Sequence, residues 1–520
     1  MAIIFLIWLL GAIGDRIWFW LDHSVPAWDQ ADYLNGALNY GYALQDFQWL
    51  SEEWRRSLWL LSNKIPPLHY ILTAPWLNLF GKSEDIASLV MLGYSAVLLI
   101  AVYGFGKTLF NKKVGILAAI ICQVLPGLYF YRLEFLLDFP LTALVFCSFW
   151  LLTVWKQKKN SWLMAILFGI SLGLSLLLKQ TAIFFLITPI IWVGFGFLKS
   201  RRWMRVFQLF ISIAISFVLC FPWYRTNWLL ILTSSKRATI DSAIAEGDPA
   251  LNTLNSWFYY LKTLPYLLSW HLLIIPVVGL LIYLAAKVLK KPSWTSSQLR
   301  LKYPQELRWL LVYIVGGYLW SSLNVNKDAR YILPLLPAIA LLIALGIITY
   351  HRSLRVTVQN FSVGLAVILM VLNLFPIANG NIAEILSPRT QNYPYTDQPY
   401  PHPEIVQEII KTNPYLRSTL GVLPSTPDIN QHNFSFYGGQ HNFQVVGRQV
   451  GVRNEEVVVD SRSLNWFVTK TGDQGSVPEA QAKITNLVSN TDRFKLHQSC
   501  LLYTSPSPRD RTRSRMPSSA

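Results

Sequence analysis

The chain has 520 residues, 53% of them hydrophobic and 14% charged, with a mean hydropathy of +0.35. A soluble globular protein of that size has nowhere to hide so much apolar surface, so the class is integral membrane. The net charge of +17 and pI near 9.6 raise nucleic acid as a partner, but the basic residues fall in short runs between apolar stretches rather than along one stripe, which argues against it.

In chain order, apolar stretches of about 17–25 residues, each long enough to cross a bilayer as a helix, fall near 1–20, 87–109, 114–130, 136–155, 161–178, 181–198, 206–223, 266–288, 308–323, 331–349 and 355–375. The expectation is about eleven transmembrane helices. The first lacks a basic leader and a small-residue cleavage site, so it reads as a retained span rather than a signal peptide. With the N-terminus cytoplasmic, the inner connections hold Lys107, Lys112 and Lys113; Lys156, Lys158 and Lys159; Lys199, Arg201, Arg202 and Arg205; Lys287, Lys290, Lys291, Arg300 and Lys302; and Arg352 and Arg355. These are nearly free of acid, as the positive-inside rule requires.

The outer connections are then 21–86, 131–135, the turn Lys179-Gln180, 223–265, 324–330 and everything after about 376. The first is long and carries Trp49, Trp54 and Trp59, which suits helices lying in the interface, with ordinary loop packing as the alternative. From about 376 the composition turns polar, with strand-like runs Phe443-Gln444-Val445-Val446 and Val457-Val458-Val459. That predicts a small extracytoplasmic α/β or α+β domain. Residues 500–520 are rich in Ser, Pro and Arg, which predicts disorder; they look like a translated sequencing adapter. The expected division is a transmembrane domain over 1–375, an extracytoplasmic domain over 376–499 and a tail over 500–520. Cys122, Cys147, Cys220 and Cys500 form no disulfide or zinc spacing.

Charges at span ends near a bilayer are costly unless they face water, a partner or a ligand. On the predicted outer side stand Asp29 and Asp32, Lys64, Arg132, Glu134 and Asp138, Lys179, Arg225, and Lys327, Asp328 and Arg330. Clustered Lys and Arg suit a phosphate whose lipid tail stays in the membrane, and a carboxylate beside them can take the proton of an incoming hydroxyl. Together they describe displacement at a sugar carbon with a lipid phosphate leaving. Plainer roles compete at each position: a helix cap for Asp29, a solvated neighbour for Asp32, snorkelling for Lys64, pairing of Arg132 with Glu134 or Asp138, an interfacial anchor for Arg330. His23 and His69 stand without a second ligand at metal spacing and read as structural.

These segments resemble a known family. PAWDQADYL is similar to the opening of the first extracytoplasmic loop in GT-C glycosyltransferases of the protein O-mannosyltransferase and aminoarabinose transferase kind, with Gln30 in place of an acidic residue. KIPPLHY, LLDFPLTALV, LLLKQTAIFFLITP, FPWY and RYILPLLPAIALL resemble later landmarks in the same order, over about residues 15–350. The resemblance implies an all-α polytopic membrane domain of GT-C type with a long first loop, and a bacterial plasma-membrane protein whose active site faces outward. It implies Asp29 as catalytic base and Tyr33, Lys64, Asp138, Lys179 and Arg330 around the substrate, to which the pattern of outward charges adds Asp32 and Arg132, with no metal or other cofactor required. The implied donor is a polyprenyl-phosphate-linked sugar, the acceptor a lipid, glycan or protein hydroxyl, and the anomeric outcome inversion. A transporter or flippase is the rival class, although it calls for paired, interrupted repeats that the sequence lacks. An oligosaccharide transferase or polymer ligase on a related fold is a second rival.

Overall fold

The computed structural model describes residues 1–158, 161–236, 240, 242–289, 304–377, 381–450, 453–475, 477, 479–489 and 494–497. The basic groups Lys159, Lys290, Lys291, Arg300 and Lys302, the cysteine Cys500 and the tail 500–520 lie outside these residues.

Among the described residues, α1 (Ala2–Leu21) leads into three loop helices, α2 (Trp28–Gln45), α3 (Glu52–Leu60) and α4 (Leu68–Phe80). Ser51 caps α3 by accepting the Trp54 N–H at 3.2 Å, and α3 exposes Leu60 beside Trp49 and Leu50. The bundle follows as α5 (Glu84–Ala87), α6 (Leu89–Leu109), α7 (Lys112–Val124), α8 (Pro126–Arg132), α9 (Asp138–Gln157), α10 (Trp162–Leu178), α11 (Ala182–Lys199), α12 (Trp203–Lys236), α13 (Ser242–Ala245), α14 (Leu254–Leu268), α15 (Trp270–Val288) and α16 (Pro304–Ser322). A 3-10 segment, Ala329–Leu335, then runs into α17 (Leu336–Ile348), and α18 (Arg352–Leu374) closes the set.

Each of the eleven expected stretches overlaps helix, but 114–130 and 266–288 are each split between two helices and 331–349 begins in a 3-10 segment. Among the described residues, seven helices are long and apolar enough to cross a membrane, or up to nine if each of two bent pairs counts as one span. One pair, α7 with α8, bends by 58° where Pro126 cannot continue the hydrogen-bond ladder. α10 is an apolar helix of only 17 residues, and α16 begins with the polar run Pro304-Gln305-Glu306, which dilutes its hydropathy.

Close helix contacts hold the bundle core, as expected where hydrophobic attraction between spans is weak. α6 and α7 meet at Gly106 and Gly115, where a Cβ on Gly115 falls 2.6 Å from the Tyr103 carbonyl oxygen. Phe149 stacks on Tyr313 at 4.2 Å between α9 and α16.

After α18, α19 (Asn381–Leu386) and α20 (His402–Thr412) precede a three-stranded parallel sheet of order β2-β1-β3. β1 (Ser418–Val422) pairs with β2 (Val445–Gln449) in the register Ser418↔Val445, and with β3 (Trp466–Val468) in the register Leu420↔Trp466. Parallel strands need crossovers, here α21 (Gln431–Gln440) and α22 (Val457–Ser463), and α23 (Glu479–Ser489) follows β3. The unit is thus α/β, around Val406, Leu420, Val422, Phe434 and Val445. The strand expected at Val457-Val458-Val459 is instead the start of α22. Val457 and Asp460 turn inward while Val458 and Val459 are exposed, and Asp460 takes Arg448 at 2.6 Å. A helical spacing that buries an ion-paired carboxylate overrides the β preference of three valines.

Substituting Gly115 by Val should destabilise the bundle by about 1–3 kcal/mol through overpacking against backbone. Thermal unfolding in detergent measures this, and Gly93→Val, where a Cβ meets open space, is the matched control.

Candidate functional site

Four segments far apart in the chain meet at one end of the bundle. Asp29 lies in the first turn of α2, where the helix dipole favours a carboxylate. Asp138 is the first helical residue of α9. Lys179 sits at the C-cap of α10, with only Gln180 and Thr181 before α11 begins. Arg330 lies at the start of the 3-10 segment, whose preceding Asp328 accepts the Arg330 N–H at 3.0 Å.

Their side chains form one charged chain. Arg330 donates through Nη2 to Asp29 at 2.9 Å, lies with Nε 2.8 Å from Asp328, and stands 3.9 Å from Asp138. Lys179 Nζ donates to the other Asp138 oxygen at 2.7 Å. The Asp138 side chain is 3% exposed and that of Asp29 52% exposed, so Asp138 is the internal anchor and Asp29 the group a solute can reach. Lys64 is exposed; its carbonyl accepts from Gln180 Nε2 at 2.9 Å, which ties its segment to the Lys179 turn. Tyr33 is buried one turn from Asp29, and burial together with the Asp29 charge raises its phenol well above the usual range.

Burial pushes the Asp29 carboxyl up, but Arg330, Lys179 and His432 outweigh it and hold the group below its ordinary value. Asp29 is therefore ionised at neutral pH. Lys327, also expected at this face, is buried, donates to the Ser322 carbonyl and is brought down to about 8 by burial against the pull of Asp248. It is not part of the chain of charges.

Two expected site residues are placed differently. Arg132, expected to hold phosphate, points away: its Nε and Nη2 donate to Asp15 of α1 at 2.6 and 2.8 Å, in a buried fork. The planar guanidinium finds in Asp15 a bidentate partner that local sequence does not reveal, and its charge is spent. Asp32 faces the C-terminal unit, with Oδ1 3.3 Å from His432 Nδ1. Gln30, which stands where the resembled family has an acid, is buried and donates to Glu134 while accepting the Phe135 N–H. An amide can do both; a carboxylate cannot donate to Glu134. His69 is buried against Phe135 and brought down to about 3 by burial, hence neutral, and His23 contacts the Asp397 carbonyl.

A cavity of about 320 Å³ has Tyr131, Asp248, Lys262, Ala329 and Arg389 in its lining. Among the described residues, no group of three or more His, Cys, Asp or Glu side chains could hold a metal ion.

Residues 64–225 match the family described as dolichyl-phosphate-mannose-protein mannosyltransferase. Two similar solved structures are of ArnT from Cupriavidus metallidurans. The one bound to undecaprenyl phosphate shares 13% identity at a TM-score of 0.56, covering 90% of this chain and 88% of that one. The apo form shares 14% identity at a TM-score of 0.53, covering 89% of each. No curated protein matches the chain. At these identities the likeness shows the fold alone, that of the ArnT structures.

Because Arg132 and Asp15 are both buried, Arg132→Met should cost about 3–5 kcal/mol by orphaning Asp15. The double variant Arg132→Met with Asp15→Leu should regain most of that loss. Chemical denaturation in detergent measures both.

Proposed function

We propose that this GT-C membrane protein transfers a sugar from a polyprenyl-phosphate carrier to an acceptor hydroxyl at the extracytoplasmic face, with Asp29 as general base. The observation that carries the reading is the ionised, half-exposed Asp29 carboxylate gripped by Arg330 beside Lys179 and Asp138. A base of this kind takes the hydroxyl proton as the acceptor oxygen attacks the anomeric carbon. The bond from that carbon to the carrier phosphate breaks on the opposite face, so the configuration inverts. The phosphate leaves with an added negative charge, and Lys64 and Lys179 are the groups we assign to neutralise it. Arg330 fixes the base and shares its field with the leaving group.

The outward orientation is supported by the helix ends. Lys179 and Arg330 sit at the start of α11 and of the 3-10 run into α17, whereas Lys199 and Arg352 sit at the far ends. Basic clusters at the end opposite the charged chain are the pattern of cytoplasmic connections. Undecaprenyl phosphate, bound in one of the ArnT structures, is the carrier type we assign to this chain, and the plasma membrane is the compartment that follows.

Transfer of radiolabel from a cell-extracted polyprenyl-phosphate sugar pool to membrane acceptors tests the reading. Asp29→Asn should lower kcat by about 10²–10⁴ while undecaprenyl phosphate still binds; near-normal transfer would remove Asp29 from the mechanism. Lys64→Ala and Lys179→Ala should each weaken undecaprenyl phosphate binding about tenfold, roughly 1.4 kcal/mol, as read by thermophoresis. The pH profile follows from the lowered Asp29 value. The base form persists above its folded-state value, so kcat/KM should show no Asp29-linked loss from pH 7 down to 5. Arg330→Ala should move that acid limb upward.

A further inference from the structure

α2 carries two carboxylates three residues apart, Asp29 and Asp32. On a helix such a pair shares one face, with Cβ atoms about 5–6 Å apart, and like charges so placed repel. Their partners come from different parts of the molecule. Asp29 is held by Arg330 of the bundle, Asp32 by His432 of the C-terminal unit.

His432 is fixed from several sides. It follows the capping box at the start of α21, in which Asn430 accepts the His432 and Asn433 N–H groups at 3.0 and 3.2 Å and its own N–H donates to Asn433 Oδ1 at 3.1 Å. The His432 carbonyl accepts from Asn35 Nδ2 at 3.1 Å, one turn along α2 from Asp32. Gln431 Nε2 lies 3.0 Å from His432 Nε2; with that amide donating, the ring proton sits on Nδ1 and is donated to Asp32. Farther along the helix pair, the Tyr42 hydroxyl donates to the Gly439 carbonyl at 2.7 Å and accepts the Asn442 N–H at 3.2 Å. The transfer step described above uses neither Asp32 nor His432.

We propose that His432 is a positioning residue for the Asp29 base, holding the Asp32 carboxylate toward the C-terminal domain so that it does not compete with Asp29 for Arg330. The inference rests on the transferase reading. Freed from His432, Asp32 is a second carboxylate on the Asp29 face, competing for Arg330 and opposing the ionisation of Asp29. The titratable groups facing Asp29 are Arg330 and Tyr331 from the 3-10 segment, Lys179 from the α10–α11 turn, His432 from α21, Tyr70 from α4, and Tyr33 and Asp32 from its own helix, with Asp138 and Asp328 acting through Arg330. Loss of His432 therefore removes one favourable neighbour and releases one unfavourable neighbour.

The test uses the full chain in detergent with two readouts: transfer from the polyprenyl-phosphate sugar pool, and titration of the Asp29 carboxyl by infrared difference spectra against Asp29→Asn. His432→Ala should lower kcat about tenfold with donor KM nearly unchanged, and should move the Asp29 titration up by about one pH unit. His432→Gln, which keeps a donor, should retain most of the rate. Adding Asp32→Asn to His432→Ala should restore both rate and titration toward the unaltered protein, because the charge that His432 restrains is gone. If the double variant is no better than His432→Ala, or if His432→Ala leaves both readouts unchanged, the proposal is overturned. If the unaltered protein shows no transfer, or Asp29→Asn keeps it, the transferase reading fails instead, and the infrared titration still decides whether His432 shields Asp29 from Asp32.

Discussion

The buried carboxylate of Asp138 is the constraint around which this end of the bundle is arranged. With its side chain 3% exposed, an ionised group there is intolerable unless cations and hydrogen bonds surround it. Lys179 and Arg330 meet that need from positions 41 and 192 residues later in the chain, one at 2.7 Å and the other at 3.9 Å. Without Asp138 the two cations would repel, and Arg330 would lose one of the three carboxylates that fix its guanidinium. The contacts that draw α9, α10 and the 3-10 segment together at this end thus also aim Arg330 at Asp29. Folding and site assembly here are a single electrostatic problem.

Much of this was legible in the sequence because the relevant signals are local. An apolar run of sufficient length becomes a helix in lipid since every backbone group must be satisfied within the segment. A charge interrupting two such runs, as Lys179 does, must then stand at a helix end. The convergence of Asp29, Asp138, Lys179 and Arg330 followed from span order and orientation. What escaped depended on partners with no local signature. Arg132 has Glu134 and Asp138 as sequence neighbours, yet its fork closes on Asp15, 117 residues earlier; the visible hint was the pair Asp15-Arg16 inside an apolar first span. His432 carried no signal, since its meaning arises only when α21 lies along α2. The valine run at 457–459 misled because propensity was read without the buried Asp460 that sets the helical phase.

The C-terminal unit is not an appendage joined by one linker. Trp18 Nε1 donates to the Asn392 carbonyl at 2.7 Å, Asp22 accepts the Tyr395 N–H at 2.7 Å, and Tyr42 is tied to the end of α21. These contacts fall on the end of α1 and on α2, the two elements that carry the chain into Asp29. Gln30 completes the brace from the other side, bridging α2 to the segment before α9 through Glu134 and the Phe135 N–H. α2 is thus clamped between bundle and domain, which suits a helix whose first turn must present one carboxylate in a fixed direction.

The turn that carries Lys179 is so short that its backbone cannot move without tilting two membrane helices. The irregular stretch that carries Lys64 is pinned from two sides as well: Trp223 Nε1 donates to the Ser62 carbonyl at 2.7 Å and Gln180 Nε2 to the Lys64 carbonyl at 2.9 Å. Both ammonium groups thus hang from anchored backbone, and whatever adjustment the exposed Lys64 makes is left to its own four-carbon stem.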